Sequence, residues 1–245
     1  MNILVTGGAG FIGSHFVLRH RQLHPADGIV VVDAMRHGAD KNYLEPALDG
    51  ITFVEGDIAD VELMHKLVKQ YLIDVVVNFA AETHVDRSIE NPVPFLHSNV
   101  VGVQSLIEVC RRRPDTLLMH ISTDEVYGDV QDGERPKELG DPLMPSSPYA
   151  ASKGAGDLLI HAAVRTYGIR ARISRCTNNY GPHQAAEKFI PTVIRRALAN
   201  QPVPIYAKGE NKRDWLYVTD HTDAIEAVIR AEDGDGKIFH VSADG

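Results

Sequence analysis

The sequence predicts an α/β fold in which helices cover both faces of a doubly wound parallel sheet. Short β-branched runs alternate with helical patterns over the first 120 residues, and runs such as 29–32 and 75–77 are apolar throughout. Strands buried on both faces have this continuous apolar pattern, because helices pack on each side of the sheet. The chain has 245 residues, of which 44% are hydrophobic, so it can build a core of this size.

The predicted elements follow one another in βαβ order. Strands are expected at 2–6, 28–33, 51–55, 74–79 and 116–122, with helices at 11–23, 61–71 and 93–112. A polar loop with several prolines and glycines covers 129–147, and a long helix begins near residue 148. After it we expect a strand at 169–176, a helix at 187–199, strands at 203–206 and 215–218, a helix at 220–231 and a strand at 237–242. Because the composition changes near residue 177, we expect one domain at 1–176 and a smaller, incomplete α/β lobe at 177–245.

The charge and the cysteine content exclude several classes of protein. The formal net charge is −8, from 25 Lys and Arg against 33 Asp and Glu, whereas a nucleic-acid binder has a basic surface. The two cysteines, Cys110 and Cys176, show neither a disulfide pattern nor the spacing of metal ligands, so we expect no metal. No apolar run approaches the roughly 20 residues of a membrane helix, and no signal peptide opens the chain. We therefore expect a cytoplasmic protein that binds neither nucleic acid nor membrane.

A glycine-rich turn after the first strand indicates a dinucleotide site. Residues 6–13 read TGGAGFIG and stand between a predicted strand and a predicted helix. Gly7 permits the tight turn, Gly10 lets backbone amides approach a pyrophosphate, and Gly13 allows the helix to pack closely on the strand. Phe11 and Ile12, which open the helix, belong to the same expected site. Plain strand–helix turns also contain such glycines, but the flanking strand and helix favour a Rossmann-type cofactor site.

The second strand ends in an acidic residue at the spacing expected for a ribose ligand. Asp33 lies 20 residues beyond Gly13, where a carboxylate binds the ribose hydroxyls and repels a 2′-phosphate. Arg36 is the kind of residue that accommodates NADP, but the carboxylate acts more directly, so we expect NAD. Asp57 and Ile58 follow the third strand and are expected beside the adenine, although Asp57 could simply cap the next helix.

Polar residues follow the fifth predicted strand, and a Tyr–Lys pair opens the long helix. Thr123, Asp124 and Glu125 stand where parallel sheets bind ligands, although they could also be a helix cap with an acidic first turn. Tyr149 and Lys153 are spaced i, i+4 and therefore share one helix face. An ammonium beside a phenol lowers its pKa from about 10. Tyr149 is thus a candidate to accept the proton of a sugar hydroxyl as hydride leaves to a nicotinamide.

Nine segments spread over the chain match the motifs of one family. They are TGGAGFIGS at 6–14, EGDIAD at 55–60, AAETHVDRSI at 80–89, SNVVGVQSLIEVC at 98–110, ISTDEVYGD at 121–129, SPYAASK at 147–153, CTNNYGPH at 176–183, EKFIP at 187–191 and RDWLYVTDH at 213–221. Together they resemble the extended short-chain dehydrogenases/reductases, and among these the nucleotide-sugar 4,6-dehydratases. Related epimerases and decarboxylases share the glycine turn and the Tyr–Lys pair, whereas the adjacent Asp–Glu and the RDWLYV segment are typical of the dehydratases.

The resemblance implies an NAD-dependent dehydration of a nucleotide-diphosphate sugar such as dTDP-glucose. Tyr149 would take the C4 hydroxyl proton as hydride passes to NAD, while Thr123 holds the oxygen that becomes the ketone. Glu125 would remove the acidified C5 proton, protonated Asp124 would donate to the departing C6 hydroxyl, and hydride would return to C6. Lys153 would bind the nicotinamide ribose and sustain the tyrosinate. Two adjacent carboxyl groups with opposite roles need surroundings that separate their pKa values.

The resemblance also assigns further ligand contacts. Expected cofactor contacts, besides those above, are Ala80, Ala81, Asn99 and Asn179. Expected substrate contacts are Thr83, Thr123, Asn178, Lys188, Phe189, Pro204, Ile205, Tyr206 and Arg213. Arg213 offers a planar fork for a diphosphate, although it could form a surface ion pair instead, and Asn178 could be a plain turn residue. Family members pair the helices near 93–112 and 149–167 across a twofold axis, which implies a homodimer.

Two departures from the family pattern bear on these expectations. Residues 34–40 read AMRHGAD, unlike the family's usual run after the acidic residue, so contacts to the adenosine are expected to differ. The chain also stops at residue 245 where relatives continue, and we expect a truncated protein that binds NAD but is weakened toward its substrate. The alternatives are a nucleotide-sugar 4-epimerase or UDP-sugar decarboxylase, and a non-catalytic NAD-binding sensor or scaffold.

Overall fold

The computed structural model describes residues 1–130, 133–205, 209 and 213–243. Its strands are β1 (Asn2–Thr6), β2 (Gly28–Asp33), β3 (Ile51–Glu55), β4 (Val75–Asn78), β5 (Leu117–Thr123), β6 (Ala171–Cys176), β7 (Asn178–Tyr180), β8 (Trp215–Tyr217) and β9 (Ile238–Val241). Seven of them form one sheet in the order β3-β2-β1-β4-β5-β6-β9, and every neighbouring pair is parallel. This order confirms the expected Rossmann-type, doubly wound sheet.

Helices cover both faces of this sheet. They are α1 (Phe11–Leu23), α2 (Val61–Gln70), α3 (Val85–Glu90), α4 (Val93–Leu96), α5 (Gly102–Arg112), α6 (Pro148–Tyr167), α7 (Phe189–Leu198) and α8 (Val218–Arg230). Successive residues of β1 point to opposite faces: Leu4 packs with residues of α2, α5 and α6, while Ile3 and Val5 pack with those of α1 and α8. The continuous apolar strands of the sequence are therefore explained by burial on both sides.

The chain leaves the main sheet after β6 and later returns to it. β7 and β8 pair in parallel as a separate two-stranded sheet. Then α8 packs on α1, and β9 pairs with β6. Residues 218–241 therefore complete the layers of the main sheet from beyond the expected boundary at residues 176 and 177, and that boundary stays a prediction. The strand expected at 203–206 is absent from 203–205, where Pro204 cannot donate to a strand ladder, and Tyr206 lies outside the described residues.

The helix expected at 93–112 forms, but one of its turns is π-helical. The turn His97–Val101 joins α4 to α5 and holds Ser98 and Asn99 in buried positions. Such turns occur preferentially at functional sites, because they re-aim side chains within a helix. Across the described residues, no helix is both long enough and apolar enough to cross a membrane.

Candidate active site

A cleft of about 760 Å³ opens at the carboxyl edge of the main sheet. Residues at the ends of β1, β2, β4, β5 and β6 line it, together with residues between positions 184 and 215. Strands β1 and β4 are neighbours although the chain reverses its direction of winding between them. Parallel sheets bind their ligands at this switch point, and the volume is typical of pockets for small molecules and cofactors.

The turn between β1 and α1 has the geometry of a phosphate-binding loop. Gly7 has a φ of +66°, and a Cβ there would lie 2.5 Å from a backbone nitrogen of the loop after β4. A Cβ on Gly13 would collide with the carbonyl oxygen of Gly7, so only glycine allows α1 to approach this turn. Gly10 is the N-cap residue and has no side chain, which leaves the first-turn amides, including those of Phe11 and Ile12, accessible to an anion.

Asp33 ends β2 with its carboxylate at the wall of the cleft. One carboxylate oxygen accepts the amide of Ala9 and the other accepts the amide of Met35, each at 2.9 Å. Burial raises the pKa of Asp33, and these two hydrogen bonds act in the opposite direction. Each oxygen retains a lone pair for a ribose hydroxyl, whereas a 2′-phosphate would meet a carboxylate. The cradle formed by the glycine turn and Asp33 therefore fits NAD.

Arg36, the residue that could have favoured NADP, is held by two neighbouring side chains. Its guanidinium donates to Asp57 Oδ2 at 2.6 Å and to Ser98 Oγ at 2.8 Å. Burial acts to raise the pKa of Asp57, but hydrogen bonds and the Arg36 charge outweigh it and lower that pKa. Asp57 is not the cap of α2, since Asp60 performs that role. Ile58, the next residue, lines the cleft as expected.

The loop after β4 forms the floor of the cleft, and a buried amide supports it. Ala80 and Ala81 line the cleft. Asn99 is only 1% exposed and is not among the described lining residues. Its side chain donates to the Glu82 carbonyl at 3.0 Å and to Ser152 Oγ at 2.9 Å, and it accepts the Glu82 amide at 3.0 Å. The structure thus places Asn99 behind the cleft, where it positions the loop, and does not bring it to the cofactor surface.

Thr123, the last residue of β5, organises the carboxyl pair that follows it. Its Oγ1 accepts the amide of Glu125 and donates to the carboxylate of Asp124, each at 3.2 Å. A 3-10 turn, Asp124–Tyr127, begins here and places both carboxyl groups at the cleft. Tyr149 lines the same cleft, and Thr123 acts to lower its pKa. Thr123 is therefore the N-cap of this turn, which is the alternative role considered from the sequence, and it also belongs to the polar cluster in the cleft.

The two carboxyl groups have raised pKa values for partly different reasons. Burial raises the pKa of Asp124, and hydrogen bonds from Thr123 and from the backbone oppose this. Burial also raises the pKa of Glu125, the Asp124 charge adds to the effect, and the charges of Arg213 and Lys188 oppose it. A carboxyl group whose pKa is raised can hold a proton closer to neutral pH. The pair therefore has surroundings that differ from one residue to the next, as acid–base chemistry by two neighbours requires.

Tyr149 and Lys153 lie in the first two turns of α6. The Ser147 side chain begins this helix by accepting the amide of Ala150 at 3.1 Å, with a proline in the first turn. The two side chains are buried and both line the cleft. Lys153 Nζ donates to the carbonyl oxygen of Ile121 at 2.6 Å, so a residue of β5 fixes the position of the lysine ammonium.

Burial controls the pKa values of this pair. It lowers the pKa of Lys153 to about 8, while the charge of Asp157 acts to raise it. Burial raises the pKa of Tyr149 well above its ordinary value, the Glu125 charge adds to this, and the hydrogen bond from Thr123 opposes it. Burial and two nearby carboxylates therefore raise the pKa of the phenol in this structure, and the influence of Lys153 on it stays a prediction.

Most of the expected substrate contacts also line the cleft. Thr83, Asn178, Lys188, Phe189, Ile205 and Arg213 line it. Pro204 is not among the described lining residues, and Tyr206 lies outside the part of the chain that is described. Trp215 was not singled out from the sequence, although the RDWLYV segment contains it. It lines the cleft and stacks on Phe189, with ring centroids 6.1 Å apart.

Asn179, an expected cofactor contact, also lines the cleft. Its Oδ1 accepts a hydrogen bond from His221 Nδ1 at 2.8 Å, and its Nδ2 donates to the Thr177 carbonyl at 3.0 Å. Burial lowers the pKa of His221 to about 4, so this histidine is neutral and supplies a single N–H. Cys176 is a further cleft residue that sequence reasoning did not place here; burial raises the pKa of its thiol to about 12.

An enzyme that oxidises an alcohol with a bound dinucleotide needs a phosphate loop, a ribose ligand and a proton acceptor around one cleft. This fold supplies them in the arrangement of the extended short-chain dehydrogenases/reductases. The family model described as "NAD dependent epimerase/dehydratase family" matches residues 3–242, and the chain belongs to this family.

Similar proteins narrow the class further. The chain is 45% identical over 246 residues to the dTDP-glucose 4,6-dehydratase of Mycobacterium tuberculosis (strain CDC 1551 / Oshkosh), covering 100% of this chain and 73% of that protein. It matches the crystal structure of dTDP-glucose 4,6-dehydratase from Bacillus anthracis in complex with NAD at a TM-score of 0.93 and 39% identity, covering 100% and 76%. It matches the crystal structure of DesIV, a dTDP-glucose 4,6-dehydratase from Streptomyces venezuelae with NAD and TYD bound, at a TM-score of 0.90 and 42% identity. This match covers 98% of this chain and 75% of that one.

Proposed function

We propose that this chain catalyses the NAD-dependent 4,6-dehydration of dTDP-glucose to dTDP-4-keto-6-deoxyglucose and water. The observation that carries the proposal is the placement of Asp124 and Glu125 in one cleft with Thr123, Tyr149 and Lys153. An epimerase or a decarboxylase needs only the alcohol-oxidising part of this cluster. The carboxyl pair Asp124 and Glu125 beside that part supplies an acid and a base for elimination.

The first half of the reaction is the oxidation of the C4 hydroxyl. Tyr149 accepts the hydroxyl proton, and Thr123 donates a hydrogen bond to the oxygen that becomes the ketone. Bound NAD would supply a hydride acceptor for C4 and a hydride donor for C6, and in its oxidised form it would add positive charge to the cleft. Lys153 holds the nicotinamide ribose and, as an ammonium, favours the tyrosinate. Because burial keeps the phenol neutral in the protein alone, positive charge in the cleft is needed before Tyr149 becomes a base.

The second half is the removal of water across C5 and C6. The C4 ketone acidifies the C5–H bond, and Glu125 takes that proton. Asp124, in its protonated form, donates to the C6 hydroxyl as it leaves as water. The raised pKa of Asp124 supports its role as the acid, since burial favours the protonated carboxyl. Burial and the Asp124 charge raise the pKa of Glu125, whereas the charges of Arg213 and Lys188 act to lower it and so support its ionised form.

The ligand contacts form part of the proposal. We assign the NAD contacts to Gly7, Gly10, Phe11, Ile12, Gly13, Asp33, Asp57, Ile58, Ala80, Ala81, Tyr149, Lys153 and Asn179, all of which line the cleft. We assign the sugar nucleotide to Thr83, Thr123, Asn178, Lys188, Phe189, Ile205 and Arg213. An anionic substrate must be held locally by Lys188 and Arg213, because the chain has a net charge of −8. Residues 177–217 would begin the nucleotide-sugar lobe, with 1–176 and the returning α8 and β9 forming the cofactor domain.

A homodimer and a cytoplasmic location complete the proposal. Leu106 and Val109 of α5 are buried against the sheet, whereas Val101 and Leu158 are 51% and 60% exposed. These two apolar side chains lie on the helix pair that family members use for their twofold contact. Cys110 is a buried free thiol, as in a reducing compartment. Light scattering measures the mass of the particle, and Leu158→Glu should reduce a dimer to a monomer.

The deciding experiment is product analysis with two nucleotide sugars. Purified protein supplied with NAD is incubated separately with dTDP-glucose and UDP-glucose, and products are read by mass. Loss of one water from dTDP-glucose supports the proposed reaction. Faster loss of water from UDP-glucose would show that uridine, and not thymidine, is the preferred nucleoside of the substrate. A product of unchanged mass with an inverted C4 centre would indicate a 4-epimerase. NAD binding without turnover of either sugar would indicate the sensor or scaffold function.

A further inference from the structure

A second cluster of polar side chains lies where the carboxyl-terminal ends of α1 and α8 meet. His20 and His24 come from α1 and its end, and Glu226 comes from α8. One potential ligand atom from each residue lies within 4.8 Å of the others. His20 and Glu226 are buried, and His24 is partly exposed. None of the three is among the described residues that line the active-site cleft.

The spacing of these atoms suits a metal ion. His20 Nδ1 lies 2.5 Å from Glu226 Oε1, and His24 Nε2 lies 3.5 Å from Glu226 Oε2. In a tetrahedral zinc site, metal–ligand bonds of about 2.0 Å separate neighbouring ligand atoms by about 3.3 Å. The two histidines are four residues apart, so successive turns of α1 present them on one side. Side-chain adjustments of about an ångström would bring two nitrogens and one carboxylate to coordination distance.

A supporting carboxylate lies behind the first histidine. His20 Nε2 is 3.2 Å from Asp27 Oδ2, so its other nitrogen, Nδ1, faces Glu226. The amino group of Met1 holds Asp27 in turn, at 2.9 Å. Metal-bound histidines characteristically donate their second N–H to a carboxylate, which sets the tautomer and the ring orientation. This arrangement is already present around His20.

A guanidinium occupies the position between the second histidine and the glutamate. Arg230 Nη2 lies 2.5 Å from His24 Nε2 and 3.3 Å from Glu226 Oε2. Because it donates to His24, that nitrogen is an unprotonated acceptor, which is the state that binds a metal. The Arg230 side chain is 45% exposed and can withdraw into solvent. The ends of α1 and α8 also point their carbonyl groups here, and helix carboxyl termini favour cations.

We propose that His20, His24 and Glu226 bind a divalent transition-metal ion of the zinc type, with Asp27 as the supporting carboxylate and Arg230 as a competing cation. Two imidazole nitrogens and one carboxylate form a ligand set that suits Zn²⁺ and excludes the hard cation Mg²⁺. A bound ion would join α1, which follows the phosphate turn, to α8. The sequence predicted no metal, because Glu226 lies 206 residues from His20 and no motif links them.

The test compares Zn²⁺ affinities of the tag-free full chain and of charge-matched variants, measured by competition with a chromophoric chelator. Arg230→Ala removes the competing cation and should tighten Zn²⁺ binding by about tenfold. Arg19→Ala is the matched control, because Arg19 pairs with Asp223 on the same helix pair and also faces Glu226 electrostatically. Arg19→Ala removes the same charge but leaves Arg230 between His24 and Glu226. The Zn²⁺ affinity of this variant should stay within about twofold of the parent.

Loss of a ligand provides the opposite change. His24→Ala should weaken Zn²⁺ binding at least about tenfold, and Asp27→Asn should weaken it by about tenfold through His20. Because His24 is partly exposed, its variant should fold, and an unchanged NAD titration checks this. Substitution with Co²⁺ should give tetrahedral visible absorption in the parent that is lost in His24→Ala. Affinity that ignores His24, or fails to rise in Arg230→Ala, would overturn the proposal and place Zn²⁺ on others of the twelve histidines.

Discussion

Glu125→Gln should separate the two halves of the proposed reaction. Glutamine keeps the size of the side chain but cannot accept the C5 proton, so elimination loses its base. A positioned general base contributes about 10²- to 10⁴-fold, equivalent to about 2.7 to 5.4 kcal/mol of activation free energy. We expect the dehydration rate to fall by this factor, while oxidation at C4 by Tyr149 continues and reduced cofactor accumulates.

The structure adds an electrostatic consequence for the oxidation step. Burial is the largest cause of the raised Tyr149 pKa, and the charge of Glu125 is the second largest. Removing that charge lowers the pKa of the phenol, because a tyrosinate would no longer face it. Oxidation at C4 in the variant should therefore reach its maximum at a lower pH than in the parent.

Single-turnover kinetics measures both effects. The absorbance of reduced nicotinamide measures C4 oxidation across the pH range. Deuterium uptake at C5 from heavy water measures removal of the C5 proton by the general base. Glu82→Gln is the matched control, since Glu82 lines the same cleft and its carboxylate lies 3.9 Å from Arg36. That variant should exchange the C5 proton normally. C5 exchange or dehydration at the parental rate in Glu125→Gln would refute the assignment of Glu125 as the base.

Three further predictions concern the phosphate turn, a buried ion pair and pH. Gly7→Ala should abolish NAD binding by calorimetry, because a φ of +66° and a backbone nitrogen 2.5 Å away leave no place for Cβ; micromolar binding would contradict this. Asp157→Ala should lower the free energy of unfolding by about 3 to 5 kcal/mol in denaturant titrations, because Arg175, 2.9 Å from Asp157 and almost fully buried, loses its counter-charge. Asp141→Ala, which removes the partner of the exposed Arg135, should have a much smaller effect, and equal losses would refute the argument. Since the pKa of Lys153 is about 8, its charged form is complete below that pH and is lost above it, so C4 oxidation should decline as pH rises through about 8; a flat profile would show that the ammonium is not needed.

Local sequence patterns predicted most of the main sheet. The strands expected at 2–6, 28–33 and 51–55 have these bounds in the structure, as does the helix at 11–23. Each of these elements combines a buried apolar pattern with a clear turn or cap, so its local signal agrees with its tertiary position. The glycine turn and Asp33 were predicted for the same reason, since both belong to a contiguous βαβ unit.

The sequence was less informative after residue 176. It could not show that β9 returns to pair with β6, because strand pairing over such a separation depends on the whole fold and not on local pattern. It placed a strand at 203–206, but the described residues 203–205, where a proline lies between two apolar residues, form no strand. Earlier in the chain, at the expected cofactor contact Asn99, only the tertiary structure shows that the side chain contacts Glu82 and Ser152.

The sequence by itself determined the fold class and the phosphate turn, because both depend on residues close together in the chain, and it predicted that Asp33, Thr123, Asp124, Glu125, Tyr149 and Lys153 share one site, all of which line the cleft. Only the tertiary structure decided the charge states and the distant partnerships. Burial raises the pKa of Tyr149, Asp57 restrains Arg36, and His20 meets Glu226 from 206 residues away. Solvent exclusion and long-range contacts set these properties, and both arise only when the layers of the sheet are assembled.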